Sequence, residues 1–296
     1  MASDDHDRLA RIAITYLTSP GDPHIHAQVT ADGPVAVYRH LVQTGAGWQR
    51  TAHVRRAVAA LRTARWRLLV PGEADWPTGL DRLADIEPTP DTAISGYAPP
   101  LALWVSGAAD PTTVLTNAVT ITGSRAATAY GLHVAGDIAA GCARAGWTVV
   151  AAGNFGIDAA AHRAALAADH PTVVVLPAGL DRPHPAGHQH LFGYIRSTGL
   201  LISEAPPGTD VVRRRFPARQ RLLPALTAGT VLVEAAARTT DPFTAVTVAT
   251  ALGRTAMAVP GPVTSAQSAG CHQMLRDPRV HLVTDADDVL THLNQR

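Results

Sequence analysis

The 296-residue sequence contains no lysine at all, so all 25 of its basic residues are arginine. This absence excludes every chemistry that needs a lysine amine, including a P-loop lysine, a Schiff base and a lysine general base. The only two cysteines, Cys142 and Cys271, lie far apart and support neither a disulfide framework nor a cysteine zinc site. We therefore expect a protein of the reducing cytoplasm.

Long hydrophobic runs and an excess of charge are missing as well. No apolar run approaches the ~18 residues that a membrane helix needs, and the polar, acidic N-terminus does not resemble a secretory signal. The net charge is only +1, so a nucleic acid would have to be held by a local basic patch. A content of 46% hydrophobic and 17% charged residues predicts a large folded core, in one large or two ordinary domains.

The first part of the chain shows apolar residues at helical spacing. Leu9, Ile12 and Tyr16 recur in this way, and Val54 and Val58 do the same. We predict a small helical module in residues 1–65 and a second, larger domain in residues 66–296. Proline punctuates residues 71–111, where one apolar run, residues 101–105, predicts a strand.

From residue 118 onward, seven apolar runs of strand length alternate with helical patterns. The runs are continuous rather than alternating in polarity, which is typical of a parallel sheet that helices cover on both faces. The alternation of strand and helix predicts a doubly wound α/β domain. The predicted strands are Ala118–Thr122, Trp147–Ala151, Thr172–Leu176, Leu200–Ser203, Thr230–Val233, Thr255–Val259 and Val280–Val283.

Glycine-rich turns follow several of these strands. In a parallel sheet, ligands bind beyond the carboxyl edge, where glycine lets backbone amides approach and helix N-termini favour anions. Gly123, Ser124 and Arg125 follow the first strand, and Gly156 follows the second. The pattern favours a ligand that carries phosphate, with a structural turn as the alternative at each single position. The spacing after the first strand is not G-x-G-x-x-G, which disfavours a nicotinamide dehydrogenase.

The segment from Val211 to Arg221 holds five arginines within nine residues, with Phe216 among them. Guanidinium groups that meet phosphates and a ring that meets a base are the pattern of a protein that grips single-stranded nucleic acid. Two alternatives stay open at this point. In the first, the segment is only a solvated basic loop; in the second, the Phe216 ring packs in the core.

Other polar residues give weaker patterns. Asp158 and His162 lie four residues apart on one predicted helix, where they suit an acid–base pair or, more commonly, a brace at the helix start. Glu204 and Glu234 at strand ends suit contacts to a ribose or a metal, or bonds to loop amides. The 14 histidines show no H-E-x-x-H spacing, so we expect no metal and no cofactor.

An ordered series of short motifs runs through roughly residues 66–290. It consists of Gly123-Ser124-Arg125, Gly156-Ile157-Asp158, Gly179-Leu180-Asp181, Ile202-Ser203-Glu204, Phe216-Pro217, Arg219-Gln220-Arg221, Val233-Glu234-Ala235, Gly253-Arg254 and Val259-Pro260-Gly261. In this order the series resembles the DNA-processing protein A family (DprA, also called Smf). Residues 1–65 also resemble the helical N-terminal module of actinobacterial members, which is of the SAM or helix-hairpin-helix kind.

The resemblance implies an extended Rossmann-like fold that binds single-stranded DNA, protects incoming strands during natural transformation and helps to load the recombinase RecA. It also implies a cytoplasmic homodimer with no established enzymatic activity and no membrane partner. The residues that it implies to bind DNA or its phosphates are Gly123, Ser124, Arg125, Gly156, Arg213, Phe216, Arg219, Arg221 and Arg254. The C-terminal winged helix of many members is expected to be absent.

The sequence departs from the family pattern at three places, which bear on the pocket more than on the fold. Gln220 stands where asparagine is usual, Thr239-Thr240 stands where a Ser-Gly pair is usual, and the turn before Gly156 also differs. The alternative function is a nucleotide-processing enzyme of the phosphoribohydrolase-like Rossmann group. Only Gly229-Thr230 and Glu234 echo the loop of that group, and the arginine-rich segment favours polymer binding.

Overall fold

The structure, a computed structural model, describes residues 2–46, 55, 58–59, 66–86, 97–237 and 240–295. This part of the chain contains a nine-stranded sheet. Its strands are β1 (Arg67–Leu69), β2 (Leu103–Ser106), β3 (Ala118–Thr122), β4 (Thr148–Ala151), β5 (Thr172–Leu176), β6 (Leu200–Ser203), β7 (Gly229–Leu232), β8 (Thr255–Ala258) and β9 (Val280–Leu282). The strand order across the sheet is β1-β2-β6-β5-β4-β3-β7-β8-β9.

The strands from β3 to β9 are parallel, as the continuous apolar runs predict. All seven strands predicted from residue 118 onward are confirmed, each within one residue of its predicted ends. The run at residues 101–105 forms β2, which pairs antiparallel with β6 and with the edge strand β1. At three residues, β1 is too short to produce a readable periodicity in the sequence.

Helices fill the connections between strands. They are α1 (Ala2–Leu17), α2 (Pro23–Asp32), α3 (Pro34–Leu41), α4 (Pro111–Val114), α5 (Ala129–Arg144), α6 (Ile157–Ala167), α7 (Gln189–Thr198), α8 (Arg215–Gln220), α9 (Leu222–Leu226), α10 (Thr240–Ala251), α11 (Ala269–Met274) and α12 (Ala286–Asn294), with 3₁₀ helices at Thr78–Asp85 and Ala186–His188. Among the described residues, none of these helices is both long and apolar enough to span a bilayer.

Alternate residues of β5 show that helices cover both faces of the sheet. Val173 and Val175 point into the core beneath α9 and α10, whereas Val174 and Leu176 point into the core beneath α1 and α7. A further core lies beneath α5, α6 and α12. This period of two is the pleat of a strand that is buried on both sides. The predicted α/β class with a mostly parallel Rossmann-like sheet is confirmed.

The N-terminal helix α1 packs against the antiparallel edge of the sheet. Ile12 shares a core with Leu68 of β1, and the Arg8 guanidinium donates to the Leu68 carbonyl oxygen at 3.0 Å. The Tyr16 hydroxyl donates to the Pro207 carbonyl oxygen at 2.7 Å. Val54 lies outside the described residues, so the helix predicted around it, like the division at residue 65, stays a prediction.

Candidate functional site

The loop after β3 is fixed between two other strand ends. The Ser124 amide donates to the Glu234 carbonyl oxygen at 2.7 Å, and the Ser124 carbonyl accepts from the Ile157 amide at 3.1 Å. A Cβ on Gly123 would lie 2.7 Å from the Glu234 carbonyl oxygen, so this position has room only for glycine. These bonds fix the loop, and the charged group that it offers to an anion is the side chain of Arg125.

Gly156 lets the start of α6 approach this loop. Its φ of +73° lies in the region that favours glycine. An added Cβ would also collide with the carbonyl oxygens of Ser124 and Arg125. Gly156 is therefore a structural part of the predicted phosphate loop, since it sets the distance between the ends of β3 and β4.

The side chain of Arg125 is 53% exposed and forms an ion pair with Asp241, in the first turn of α10. The same guanidinium lies 5.3 Å from the centroid of the Phe216 ring. Arg125 therefore contacts both a carboxylate and an aromatic face while much of its surface faces solvent. An exposed ion pair of this kind is weak, so a phosphate can compete for the guanidinium.

Phe216 is the centre of a cluster of cationic and aromatic side chains. The Arg219 guanidinium lies 5.6 Å from its ring centroid, and the His184 ring meets it edge-on at 5.8 Å. We call Arg125, His184, Phe216, Arg219 and Asp241 the Phe216 cluster. The ring is partly buried, and neither of the two simple alternatives, a solvated loop or a core plug, describes it. Burial and the two arginines lower the pKa of His184, which keeps it neutral at pH 7.

Arg219 lies behind the ring rather than at the surface, with 3% of its area exposed. Its Nη1 donates to the Ala152 carbonyl oxygen at 2.9 Å, whereas its Nε and Nη2 have no hydrogen-bond partner among the described residues. Burial lowers its pKa to about 10 against the opposing charge of Asp158, so it stays charged at neutral pH. Arg219 thus supplies positive potential and spare donors beneath Phe216.

Asp158 and His162 do not pair with each other. The Asp158 carboxylate accepts from the amide and the side-chain nitrogen of Asn154, at 3.1 and 2.8 Å. Burial raises its pKa to about 6, although Arg219 opposes this shift. His162 Nδ1 lies 2.8 Å from the Thr172 hydroxyl, and burial lowers the pKa of His162 to about 3. The acid–base alternative is therefore wrong, and both residues brace the fold.

The structure corrects the prediction that Arg221 lines the DNA pocket. Its side chain is 0% exposed, and both Nη atoms donate to the Glu204 carboxylate at 2.8 Å, while Nε donates to the Ala98 carbonyl oxygen at 3.1 Å. The chain turns from α8 to α9 at this residue. A fully enclosed, bidentate pair holds the segment in place and leaves no donor for a ligand. Glu204 is likewise occupied and is not a ribose or metal contact.

Arg254 also differs from its predicted role, because of where it lies in the sheet. It directly precedes β8, which is parallel to β3, so it lies at the amino edge, opposite the Phe216 cluster. There it packs beside Gly79, where an added Cβ would lie 2.9 Å from its Nη2. Arg213, in contrast, is exposed at the start of the arginine-rich segment and lies on the same side as Phe216.

Glu234 caps a helix. Its carboxylate accepts from the amide of Thr128 at 2.9 Å and from the Thr128 hydroxyl at 2.6 Å, just before α5. Negative charge is favourable at this end of a helix. Among the described residues, no group of three or more potential metal ligands gathers here or elsewhere.

Three members of this edge were not singled out by sequence reasoning. Asp241 and His184 belong to the Phe216 cluster, and Phe155 lies half exposed in the loop after β4. His184 carries no local signal, because its contact with Phe216 depends on tertiary packing. Phe155 was detectable as a lone aromatic inside a glycine-rich turn.

A parallel sheet with glycine-rich strand ends and a cationic, aromatic cluster at its carboxyl edge defines a Rossmann-like protein with a site suited to a phosphate-bearing ligand. The sequence model of one family, described as DNA recombination-mediator protein A, matches residues 67–294. The chain belongs to this family, as its motifs indicate.

Relatives of known name agree with this assignment. The chain is 46% identical over 224 residues to a putative DNA processing protein DprA of Mycobacterium tuberculosis, which covers 76% of this chain and 57% of that protein. It is 37% identical over 135 residues to DNA processing protein DprA of Streptococcus pneumoniae, which covers 46% of this chain and 47% of that protein. The chain thus spans little more than half the length of the Mycobacterium relative.

Two solved structures share the fold. The X-ray structure of DprA from Streptococcus pneumoniae aligns over 97% of both chains with a TM-score of 0.76 at 23% identity. The structure of DprA from Helicobacter pylori, which addresses the single-stranded DNA binding mode of that protein, aligns over 71% of this chain and 94% of that chain, with a TM-score of 0.60 and 23% identity.

Proposed function

We propose that this chain binds single-stranded DNA at the carboxyl edge of its sheet and acts in DNA uptake and homologous recombination. The observation that carries the proposal is the Phe216 cluster, where one aromatic ring contacts two guanidinium groups. Arg125 is assigned to a phosphate, Phe216 to a base, and Arg219 to the positive potential behind the ring.

The preference for a single strand follows from the position of the ring. Phe216 lies in the first turn of α8, on the carboxyl-edge side of the sheet, and is only partly exposed, so a base must be splayed out to reach it. The bases of a duplex are paired and stacked, and their faces are hidden from such a ring. Duplex DNA is therefore left with the exposed arginines alone.

The number of exposed arginines sets the expected salt dependence. Arg125, Arg213 and Arg214 are exposed, whereas Arg219 and Arg221 are buried and Arg254 lies at the opposite edge. Three phosphate contacts at ~0.7 each give a slope of about −2 for log affinity against log salt. If all five arginines implied by the family resemblance contacted phosphates, the slope would be considerably steeper than −2.

Family membership supports the finer parts of the proposal. Protection of incoming DNA, loading of a RecA-type recombinase, a homodimeric state, a cytoplasmic location and the lack of catalysis are proposed on that ground. The enzyme alternative has no observation in its favour, because both Glu234 carboxylate oxygens are bonded to Thr128. Incubation with nucleoside monophosphates and an assay for free base tests this part.

The binding proposal is tested by fluorescence anisotropy with labelled oligo-dT and a duplex of equal length, at several salt concentrations. We expect much tighter binding of the single strand and a slope near −2. Equal affinity for the single strand and the duplex would mean that the protein binds DNA only by nonspecific electrostatic attraction. A slope near zero would show that the arginines do not contact phosphates.

A further inference from the structure

Phe155 is a large apolar residue that stays 50% exposed in the loop between β4 and α6. Single exposed apolar residues are common and need no explanation by themselves. The position of this one is unusual because a Cβ added to its neighbour Gly156 would lie 2.6 Å from the carbonyl oxygen of Arg125. Phe155 therefore belongs to the same loop junction that places Arg125.

The ring of Phe155 is held on one side and open on the other. It meets the His188 ring edge-on, with 4.3 Å between the centroids and 60° between the planes. His188 is itself buried and donates from Nδ1 to the Gly153 carbonyl oxygen at 3.0 Å. Gly187 leaves room for the ring, because a Cβ there would lie 3.0 Å from Phe155 Cζ. An exposed ring with a fixed orientation loses little entropy when a flat ligand stacks on it.

One short segment connects Phe155 to the Phe216 cluster. Residues 184–188 contact Phe216 through His184 at 5.8 Å and contact Phe155 through His188. Four residues along a chain span at most ~14 Å, so a few nucleotides bridge the two ends of this segment. The two rings therefore lie along one rim of the carboxyl edge.

A second exposed arginine lies near the residues that hold the Phe155 ring. The exposed Arg163 of α6 lines a cleft of about 530 Å³ together with Gly187 and His188. Two arginines therefore lie close to the neighbours of Phe155, with Arg125 at the Gly156 junction and Arg163 in the cleft that His188 also lines. Arginines near an exposed aromatic ring suit the phosphates and bases of a single strand.

We propose that Phe155 is a second base-stacking platform, which extends the bound single strand from the Phe216 cluster towards the cleft lined by Arg163. The inference rests on the proposed function, since it adds a position to the same DNA site. It predicts that short oligonucleotides use the Phe216 cluster alone, whereas longer ones also use Phe155.

The test measures affinity for oligo-dT of increasing length, from about 3 to about 12 nucleotides, for the wild type and two variants. Phe155→Leu keeps an apolar side chain without a ring, and Phe155→Trp keeps a ring. We expect Phe155→Leu to match the wild type on the shortest oligonucleotides and to lose about 5- to 150-fold on the longest, the range for one stacked base. Phe155→Trp should retain binding of every length, and its added fluorescence should be quenched only by the longer oligonucleotides.

Melting temperatures and light scattering are measured on the same samples. The inference is overturned if folded Phe155→Leu binds every length as the wild type does, or if its losses are equal at all lengths. It is also overturned if the variant changes only the oligomeric state, which would make Phe155 an interface between copies of this chain. A wild type that binds no single-stranded DNA would instead refute the proposed function, so the two failures are distinguishable.

Discussion

Asp241 competes with DNA for Arg125, and replacing it should strengthen binding. The carboxylate pairs with the one exposed guanidinium of the Phe216 cluster, and it would also face the phosphate that takes its place. Two unit charges ~4 Å apart in water interact by about 1 kcal/mol, and exposed ion pairs contribute ~0.2–1 kcal/mol. Asp241→Asn removes both the competition and the repulsion. We expect a gain of about 1 kcal/mol, or about fivefold in affinity for oligo-dT.

A matched control separates this local effect from the change in net charge. Asp277 also pairs with an exposed arginine, Arg279, but it precedes β9 and therefore lies at the amino edge of the sheet. Asp277→Asn changes the net charge equally and should leave the affinity nearly unaltered. The Asp241→Asn gain should shrink as salt rises and in an Arg125→Ala background. An unchanged or weaker affinity for Asp241→Asn would refute the reasoning, because Asp241 would then hold Arg125 in its binding position.

Three further predictions concern other residues of the structure. Arg221→Met should cost ~3–5 kcal/mol of unfolding free energy in chemical denaturation, because it leaves Glu204 buried without its cation. Phe216→Ala should weaken oligo-dT binding by ~1–3 kcal/mol with an unaltered salt slope, and a collapsed melting temperature would instead make it a core residue. The pKa of His162 is lowered to about 3, so its contribution to stability is present above its ordinary value of 6.5 and is lost as pH falls towards 3. His162→Gln should flatten the melting temperature between pH 7 and pH 4, and a curve parallel to that of the wild type would contradict this.

The sheet was predictable because its strands are buried on both faces. A short continuous apolar run such as Thr172–Leu176, placed between two helical patterns, is hard to interpret as anything but a buried strand. Its position is confirmed. β1 escaped prediction because three residues at an antiparallel edge carry no periodicity. The break between α8 and α9 has a local cause, since Pro224 has no amide hydrogen to bond to the carbonyl of Gln220.

The candidate site was predictable in its residue types but not in the direction of each side chain. Arg219 and Arg221 sit two positions apart at the α8–α9 turn, and their sequence neighbourhood is the same, yet one lies behind Phe216 and the other pairs with Glu204. The partner that buries Arg221 comes from the end of another strand, which no local pattern reveals. The assignment of Arg254 to the DNA pocket could have been avoided from the sequence. A residue that directly precedes a parallel strand must lie at the amino edge of the sheet.

Photo-crosslinking tests most directly where the single strand is bound. A dT oligonucleotide that carries 5-iodouracil is irradiated in complex with the protein, and the modified peptides are identified by mass spectrometry. We expect adducts in the loop after β3, in the loop that holds Phe155, and in the segments that hold His184 and Phe216. Adducts confined to the amino edge around Gly79 and Arg254, or to the N-terminal helices, would contradict this location.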